Sequence, residues 1–147
     1  NPVTGQSESL TVKIPKGIRE NQKLRLKGKG MPGENGGKSG DLYITIHIRN
    51  DPRFERKGDD LHITREVPFT TAALGGKVKV PGVNRELNIT VPSGTKDSTV
   101  LRLKNQGFSK ISSNERGNLM VKIKIQVPTN LNNTQKELLE KLKNTGL

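Results

Sequence analysis

The 147-residue chain has no cysteine and no tryptophan, and it carries only three phenylalanines and one tyrosine. Without cysteine there is no disulfide, no thiol nucleophile and no cysteine-ligated zinc, which suits a reducing compartment. So few aromatics leave little to stack nucleobases on. No apolar run reaches the length of a membrane-spanning helix, so no membrane segment is expected. Asn1–Ser9 is polar and lacks the apolar stretch of a secretory signal. It reads as a flexible lead-in, the kind left by a cut inside a longer protein. Carboxylates are scarce as well: 14 Asp and Glu against 26 Lys and Arg leave a net charge of +12 and a pI of about 10.2. That balance invites a polyanion-binding reading. The cations are scattered, however, along the polar sides of alternating stretches such as Lys23-Leu-Arg-Leu-Lys27 and Lys122-Ile-Lys124, where a solvated basic face accounts for them.

What the chain does have is a repeat. Residues 14–48 shifted by 77 fall on residues 91–125 without a gap, and eleven of the 35 paired positions are identical. The identities include Pro15/Pro92, Gly17/Gly94, the run Leu24–Lys27 on Leu101–Lys104, Gly30/Gly107, Gly40/Gly117, Leu42/Leu119 and Ile46/Ile123. Two copies are too few for a solenoid, and two tandem lobes of one architecture are expected instead. At 29 % hydrophobic residues, each lobe has a thin core.

Within each copy the apolar period is two, the signature of half-buried strands. The expected strands in the first copy are Leu10–Ile14, Leu24–Leu26 and Leu42–Ile48, with a glycine-rich loop at Gly28–Gly40. The second copy repeats them at Leu87–Val91, Val100–Lys104 and Leu119–Val127. Between the copies, Asn50-Asp51-Pro52 is turn chemistry and Phe54–Gly58 reads as a link. Leu61–Phe69 is a strand whose face pattern slips at Arg65, Thr70–Leu74 is one helical turn ended by Gly75-Gly76, and Lys77–Val80 is a short strand. The fold class is mostly β, with short helical turns and a C-terminal helix. That helix starts in one of two overlapping capping frames, Asn132-x-x-Gln135 or Thr134-x-x-Glu137, and Gly146 stands where its stop belongs. Leu138, Leu139 and Leu142 form an apolar stripe. About eleven residues of helix are marginal alone in water, so the stripe docks either on its own lobe or on a second chain.

Several motif matches do not survive their context. Gly28-x-Gly30-x-x-Gly33 needs to open a helix to bind a dinucleotide, yet Pro32, more glycine and a strand follow it. Gly37-Lys38-Ser39 lacks the upstream glycine of a phosphate loop. Asn88-Ile-Thr90 and Asn132-Asn-Thr134 fit the glycosylation pattern but serve as strand and cap positions. His47 reads as an outward, exposed strand residue, and neither it nor His62 has a sequence-near carboxylate pairing that recurs in the repeat. Asp59-Asp60 reads as a turn rather than a cation site. No active site, no metal site and no cofactor are expected, and the chain is not read as an enzyme.

The chain resembles the C-terminal region of DnaJ-family co-chaperones, the J-domain proteins. The resemblance is carried in order by Leu10-Thr-Val-Lys-Ile-Pro-Lys-Gly-Ile18, Leu24-Arg-Leu-Lys-Gly-Lys-Gly30, Gly40-Asp-Leu-Tyr-Ile44 and Phe54-Glu-Arg-Lys-Gly-Asp-Asp-Leu61. It continues through Ala72-Ala-Leu-Gly-Gly76, Val80-Pro81, Val91-Pro-Ser-Gly94, Gly117-Asn-Leu-Met-Val121 and Leu131-Asn132 with Gln135-Lys-Glu-Leu-Leu139. It implies two tandem β-sandwich-like lobes and a C-terminal dimerisation helix. The implied division is a flexible lead-in (1–9), a partial client-binding first lobe (10–57), a second lobe (58–130) and the dimerisation helix (131–147). The implied function is binding of unfolded polypeptide for delivery to a DnaK-type chaperone, with homodimerisation and a cytoplasmic location; an organelle or the exterior is the alternative. No His-Pro-Asp tripeptide and no Cys-x-x-Cys-x-Gly-x-Gly array occur here, so stimulation of the partner's ATPase and the family's zinc module are not expected of this chain. By alignment Leu10 and Ile44 carry the client groove, with Val12, Leu26 and Ile46 added by position; packed core is the competing reading of these aliphatics. Leu138, Leu139 and Leu142 carry dimerisation. The alternative function is a basic module binding nucleic acid or other polyanions nonspecifically.

Overall fold

A computed structural model of the chain describes residues 7, 9–49, 51–111 and 113–147. Most of the expected flexible lead-in, and Asn50 of the expected turn, lie outside those residues. Among the described residues eight strands form: β1 (Lys23–Leu26), β2 (Leu42–Thr45), β3 (Glu55–Lys57), β4 (Asp60–Pro68), β5 (Gly76–Pro81), β6 (Glu86–Val91), β7 (Val100–Leu103) and β8 (Leu119–Gln126). Two helices join them, α1 (Phe69–Leu74) and α2 (Asn133–Lys143). The strands make a β1-β2 ribbon, a four-stranded sheet in the order β3-β4-β8-β7, and a β5-β6 hairpin. The fold is mostly β with a C-terminal helix.

The chain divides into two compact units, Asn1–Leu61 with Lys104–Leu119, and His62–Leu103 with Met120–Leu147. In the second unit the buried apolar side chains are Ile63 and Val67 of β4, Ala72 of α1, Val80 of β5, Ile89 and Val91 of β6, and Val121 and Ile123 of β8. In the first unit they are Leu61 and Leu119. Among the described residues, then, the first copy of the repeat buries none of its aliphatics, while residues 91–125 supply Val91, Leu119, Val121 and Ile123 to the core.

The two copies share backbone geometry in detail. Left-handed backbone recurs at Gly17 and Gly94, at Asn21 and Ser98, and at Gly28 and Asn105. Gly30 N–H donates to Gly40 O at 2.9 Å, as Gly107 N–H does to Gly117 O at 2.9 Å. Ile46 N–H donates to Gln22 O at 2.9 Å, as Ile123 N–H does to Thr99 O at 2.8 Å.

Three local expectations are corrected. Leu10–Ile14 forms no strand. Its counterpart β6 is paired by β5 from Gly76↔Val91 to Pro81↔Glu86; among the described residues nothing pairs with Leu10–Ile14 in that way. An extended segment without ladder bonds leaves its backbone groups to water. Phe54–Gly58 is not a plain link, because β3 runs through it. Its charged residues hide an edge strand from any apolar-period reading. The face of β4 does not slip at Arg65: Leu61, Ile63, Arg65 and Val67 share a side, and the Arg65 guanidinium reaches out to donate to Lys79 O at 3.0 Å and to Glu66 O. A long side chain can keep its stem on an apolar face while its head finds acceptors at the rim.

Candidate functional site

The β1-β2 ribbon pairs Lys23↔Thr45, Leu24↔Ile44, Arg25↔Tyr43 and Leu26↔Leu42. Directly opposed residues in an antiparallel pair share a face. Leu24, Leu26, Leu42 and Ile44 therefore form one aliphatic side, which Ile46 extends, and Lys23, Arg25, Tyr43 and Thr45 form the other. All five aliphatics are only half-buried. In the second copy the counterparts of Leu42, Ile44 and Ile46, namely Leu119, Val121 and Ile123, are 0 % exposed, while those of Leu24 and Leu26, Leu101 and Leu103, are half-buried as well. The same holds upstream: Ile89 and Val91 are buried, whereas Val12 is half-buried and Ile14 is 57 % exposed.

Of the residues singled out from sequence, Leu26, Ile44 and Ile46 are thus brought onto one face. Leu10, 39 % exposed, and Val12 lie on the segment that forms no strand, and nothing places them in a ladder with β1 or β2. Leu24 and Leu42 belong to the same face and were missed by the sequence reading. Their signal was the alternation itself, which treats every apolar strand position alike.

The ribbon's ends are held by carboxylates. Asp41 accepts from Gly28 N–H at 2.9 Å and from Arg25 Nε at 2.6 Å. The Gly28 amide first, and the Arg25 guanidinium second, hold its carboxyl below the ordinary value. Glu20 accepts from Ile48 N–H at 2.5 Å and lies 3.1 Å from His47 Nδ1, and these bonds, the amide's foremost, lower its pKa. The second copy repeats the clamp. Asp97 accepts from Ile125 N–H at 2.8 Å, which lowers its pKa, and Lys124 Nζ sits 3.7 Å away. The His47–Glu20 pairing has its counterpart in Lys124–Asp97, and the expectation of no sequence-near carboxylate at His47 stands. Glu20 lies 27 residues off, beyond a sequence-near search.

The glycine-rich loop contains only a single helical turn, Glu34–Gly36, so it opens no helix whose amides could cradle a phosphate. The Asp59-Asp60 pair is engaged structurally. Asp59 O accepts from Phe108 N–H at 2.9 Å, the Asp59 carboxylate pairs with Arg19 at 3.2 Å, and Asp60 Oδ1 accepts from Asn118 N–H at 2.7 Å.

In the second unit, α2 starts in the Asn132 frame. Asn132 Oδ1 accepts from Gln135 N–H at 2.8 Å, and Gln135 Oε1 accepts from Asn132 N–H at 2.9 Å, a reciprocal cap. No residue of the helix is buried. Leu138 is 60 % exposed and Leu142 43 %, with Leu139 half-buried. Leu138 and Leu139 border an apolar depression of about 350 Å³ with Phe69, Pro128 and Leu131.

Comparison with known proteins gives one family and many relatives. The family profile described as "DnaJ C terminal domain" matches residues 3–128. Proteins named "Chaperone protein DnaJ" from Burkholderia mallei and Burkholderia thailandensis are 44 % identical over 135 residues, covering 92 % of this chain and 36 % of the relative. The protein of that name from Paraburkholderia phymatum is 43 % identical over 137 residues, covering 93 % of this chain and 36 % of the relative. The chain thus spans about a third of the length of the curated relatives it matches.

Proposed function

The chain belongs to the family of DnaJ C-terminal domains, and from that premise we propose that it is the client-binding and dimerising part of a DnaJ-type co-chaperone. It takes unfolded polypeptide for delivery to a DnaK-type chaperone, in the cytoplasm. One observation carries the reading. The β2 side of the β1-β2 aliphatic face, Leu42, Ile44 and Ile46, stays half exposed, although the matching Leu119, Val121 and Ile123 of the second copy are sealed core. An extended apolar peptide is a natural cover for such a face, adding a strand to the ribbon and seating alternate side chains on Leu26, Ile44 and Ile46. In this proposal Leu10 and Val12, on the segment that forms no strand, supply the second wall. The lobe division at 10–57, 58–130 and 131–147 belongs to the same proposal.

Calorimetry with an apolar heptapeptide tests it, comparing wild type with Leu10→Ser and Ile44→Ser at low and high salt. Weaker binding by both variants and little salt dependence are expected. Equal binding by all three proteins removes the assignment. A steep loss with salt points instead to polyanion-type binding through the +12 charge.

The dimer is proposed to form through the α2 stripe. Burying Leu138, Leu139 and Leu142 on both chains is worth less than the roughly 9–18 kcal/mol gross of six fully exposed leucines, because each is already partly covered. Association and ordering take back about 4–15 kcal/mol, which leaves room for a dimer of roughly micromolar affinity. Among the described residues no helix is long and apolar enough to cross a membrane.

A further inference from the structure

The turn that joins the two arms of the proposed peptide face is Pro15–Arg19, with Leu10 and Val12 upstream and β1 downstream. In the second copy the matching turn is tied to α1 by backbone: Gly94 N–H donates to Ala73 O at 3.1 Å and Thr95 N–H to Ala72 O at 3.0 Å, while the Thr95 hydroxyl donates to Pro92 O within the turn at 2.5 Å. No such backbone bond holds the first turn among the described residues. A single side chain takes that place. Arg56 Nη2 donates to Gly17 O at 2.9 Å and Nη1 to Ile18 O at 2.8 Å. Its Nε donates to Gly58 O at 2.6 Å, and Nη2 reaches Asp59 Oδ1 at 3.4 Å. The guanidinium also lies over the Phe108 ring, 4.6 Å from its centroid. Asp59 is shared with Arg19, the residue that follows the pinned carbonyls.

A planar fork with five donors can grip two successive carbonyls, a third carbonyl and a carboxylate while stacking on a ring; an ammonium cannot. The grip comes from β3, whose own backbone is fixed in a sheet. We propose that Arg56 is a positioning residue for peptide binding by the first unit, resting on the functional reading above. It fixes the joint between the Leu10–Ile14 arm and β1, so that an incoming strand meets both walls together. It touches no client itself and acts through Gly17 and Ile18.

Two variants of the full chain test this, Arg56→Gln and Arg56→Lys, read by amide hydrogen exchange and by heptapeptide calorimetry. Arg56→Gln should speed exchange across residues 15–22, leave β4, β6 and β8 protected, and weaken the peptide about tenfold. Arg56→Lys should fail to restore either property, because it keeps the charge and loses the fork. In a double-mutant cycle with Leu10→Ser, the combined loss should fall short of the sum, since both changes act on one arm. Unchanged exchange at residues 15–22, full additivity, or loss of protection throughout β4 and β8 each overturns the proposal, the last by making Arg56 a general fold element. If the wild type binds no apolar peptide, the functional reading falls with the positioning role, while the exchange data still decide whether Arg56 holds the turn.

Discussion

A methyl group added at Gly17 would sit 2.0 Å from the carbonyl oxygen of Ser109, on a backbone already at φ +78°. At Gly28 the backbone is equally left-handed, φ +71°, but nothing lies within 4 Å. The two positions therefore separate steric from conformational cost. Gly28→Ala should destabilise by about 1–2 kcal/mol, and Gly17→Ala by about 3 kcal/mol or more, as read from denaturant midpoints. A second residue-level contrast uses the repeat. Ile123 is fully buried and Ile46 half-buried, so Ile123→Ala should cost about 2–5 kcal/mol and Ile46→Ala clearly less. The clamping carboxylates set an acid limit. Asp41, Asp97 and Glu20 all have lowered folded-state pKa values against ordinary values of 3.8, 3.8 and 4.5. Their contribution is complete above those ordinary values and is lost as pH falls through the depressed ones. Amide exchange at Ile48 and Ile125 should therefore quicken relative to other strand amides on acidification below about pH 4. Protection ratios that stay constant from pH 6 to pH 3 remove the clamps from the account.

Elements repeat more faithfully than their surroundings do. β1 and β7 occupy positions exactly one repeat apart, Lys23–Leu26 and Val100–Leu103. β8 is twice as long as its counterpart β2, eight residues against four. The extra length goes with pairing, since β8 lies between β4 and β7 in its sheet whereas β2 has β1 alone. Each added neighbour satisfies another row of backbone donors and acceptors. α2 depends on its own ends: the Asn132–Gln135 cap at the start, and Lys141 and Lys143 in the last turn, where cations favour the helix dipole. Asn132→Ala should cost the helix about 1 kcal/mol and lower its helicity by circular dichroism. If dimerisation runs through this helix, the same change weakens the dimer.

Among the described residues, the packed interior lies in β4, α1, β5, β6 and β8, and the first copy of the repeat adds nothing to it. Hydrogen exchange should therefore be slowest in β4, β6 and β8 and fastest at Leu10–Ile14, which has few buried contacts and no ladder. Sedimentation of the intact chain against a version ending at Asn130 tests the proposed dimer. The intact chain should self-associate at tens of micromolar and the shortened one should not. Two monomers at that concentration remove the dimer from the function.

Local chemistry was enough to determine the 77-residue repeat, the strands of the second copy, the one-turn helix closed by Gly75, and a C-terminal helix beginning near Asn132. Each depends on neighbours a few residues away, through alternation, capping or left-handed turns. Only the tertiary structure decided which of two nearly identical patterns would be core. Ile46 and Ile123 have the same local sequence signal, but burial depends on what packs above a strand, which the strand's own residues do not specify. The same reason explains Leu10–Ile14, whose alternation is correct for a strand that lacks a described partner. It also explains β3 and Arg56. A charged tripeptide carries no apolar period, and a guanidinium that grips carbonyls 38 and 39 residues away leaves no trace in the sequence between them.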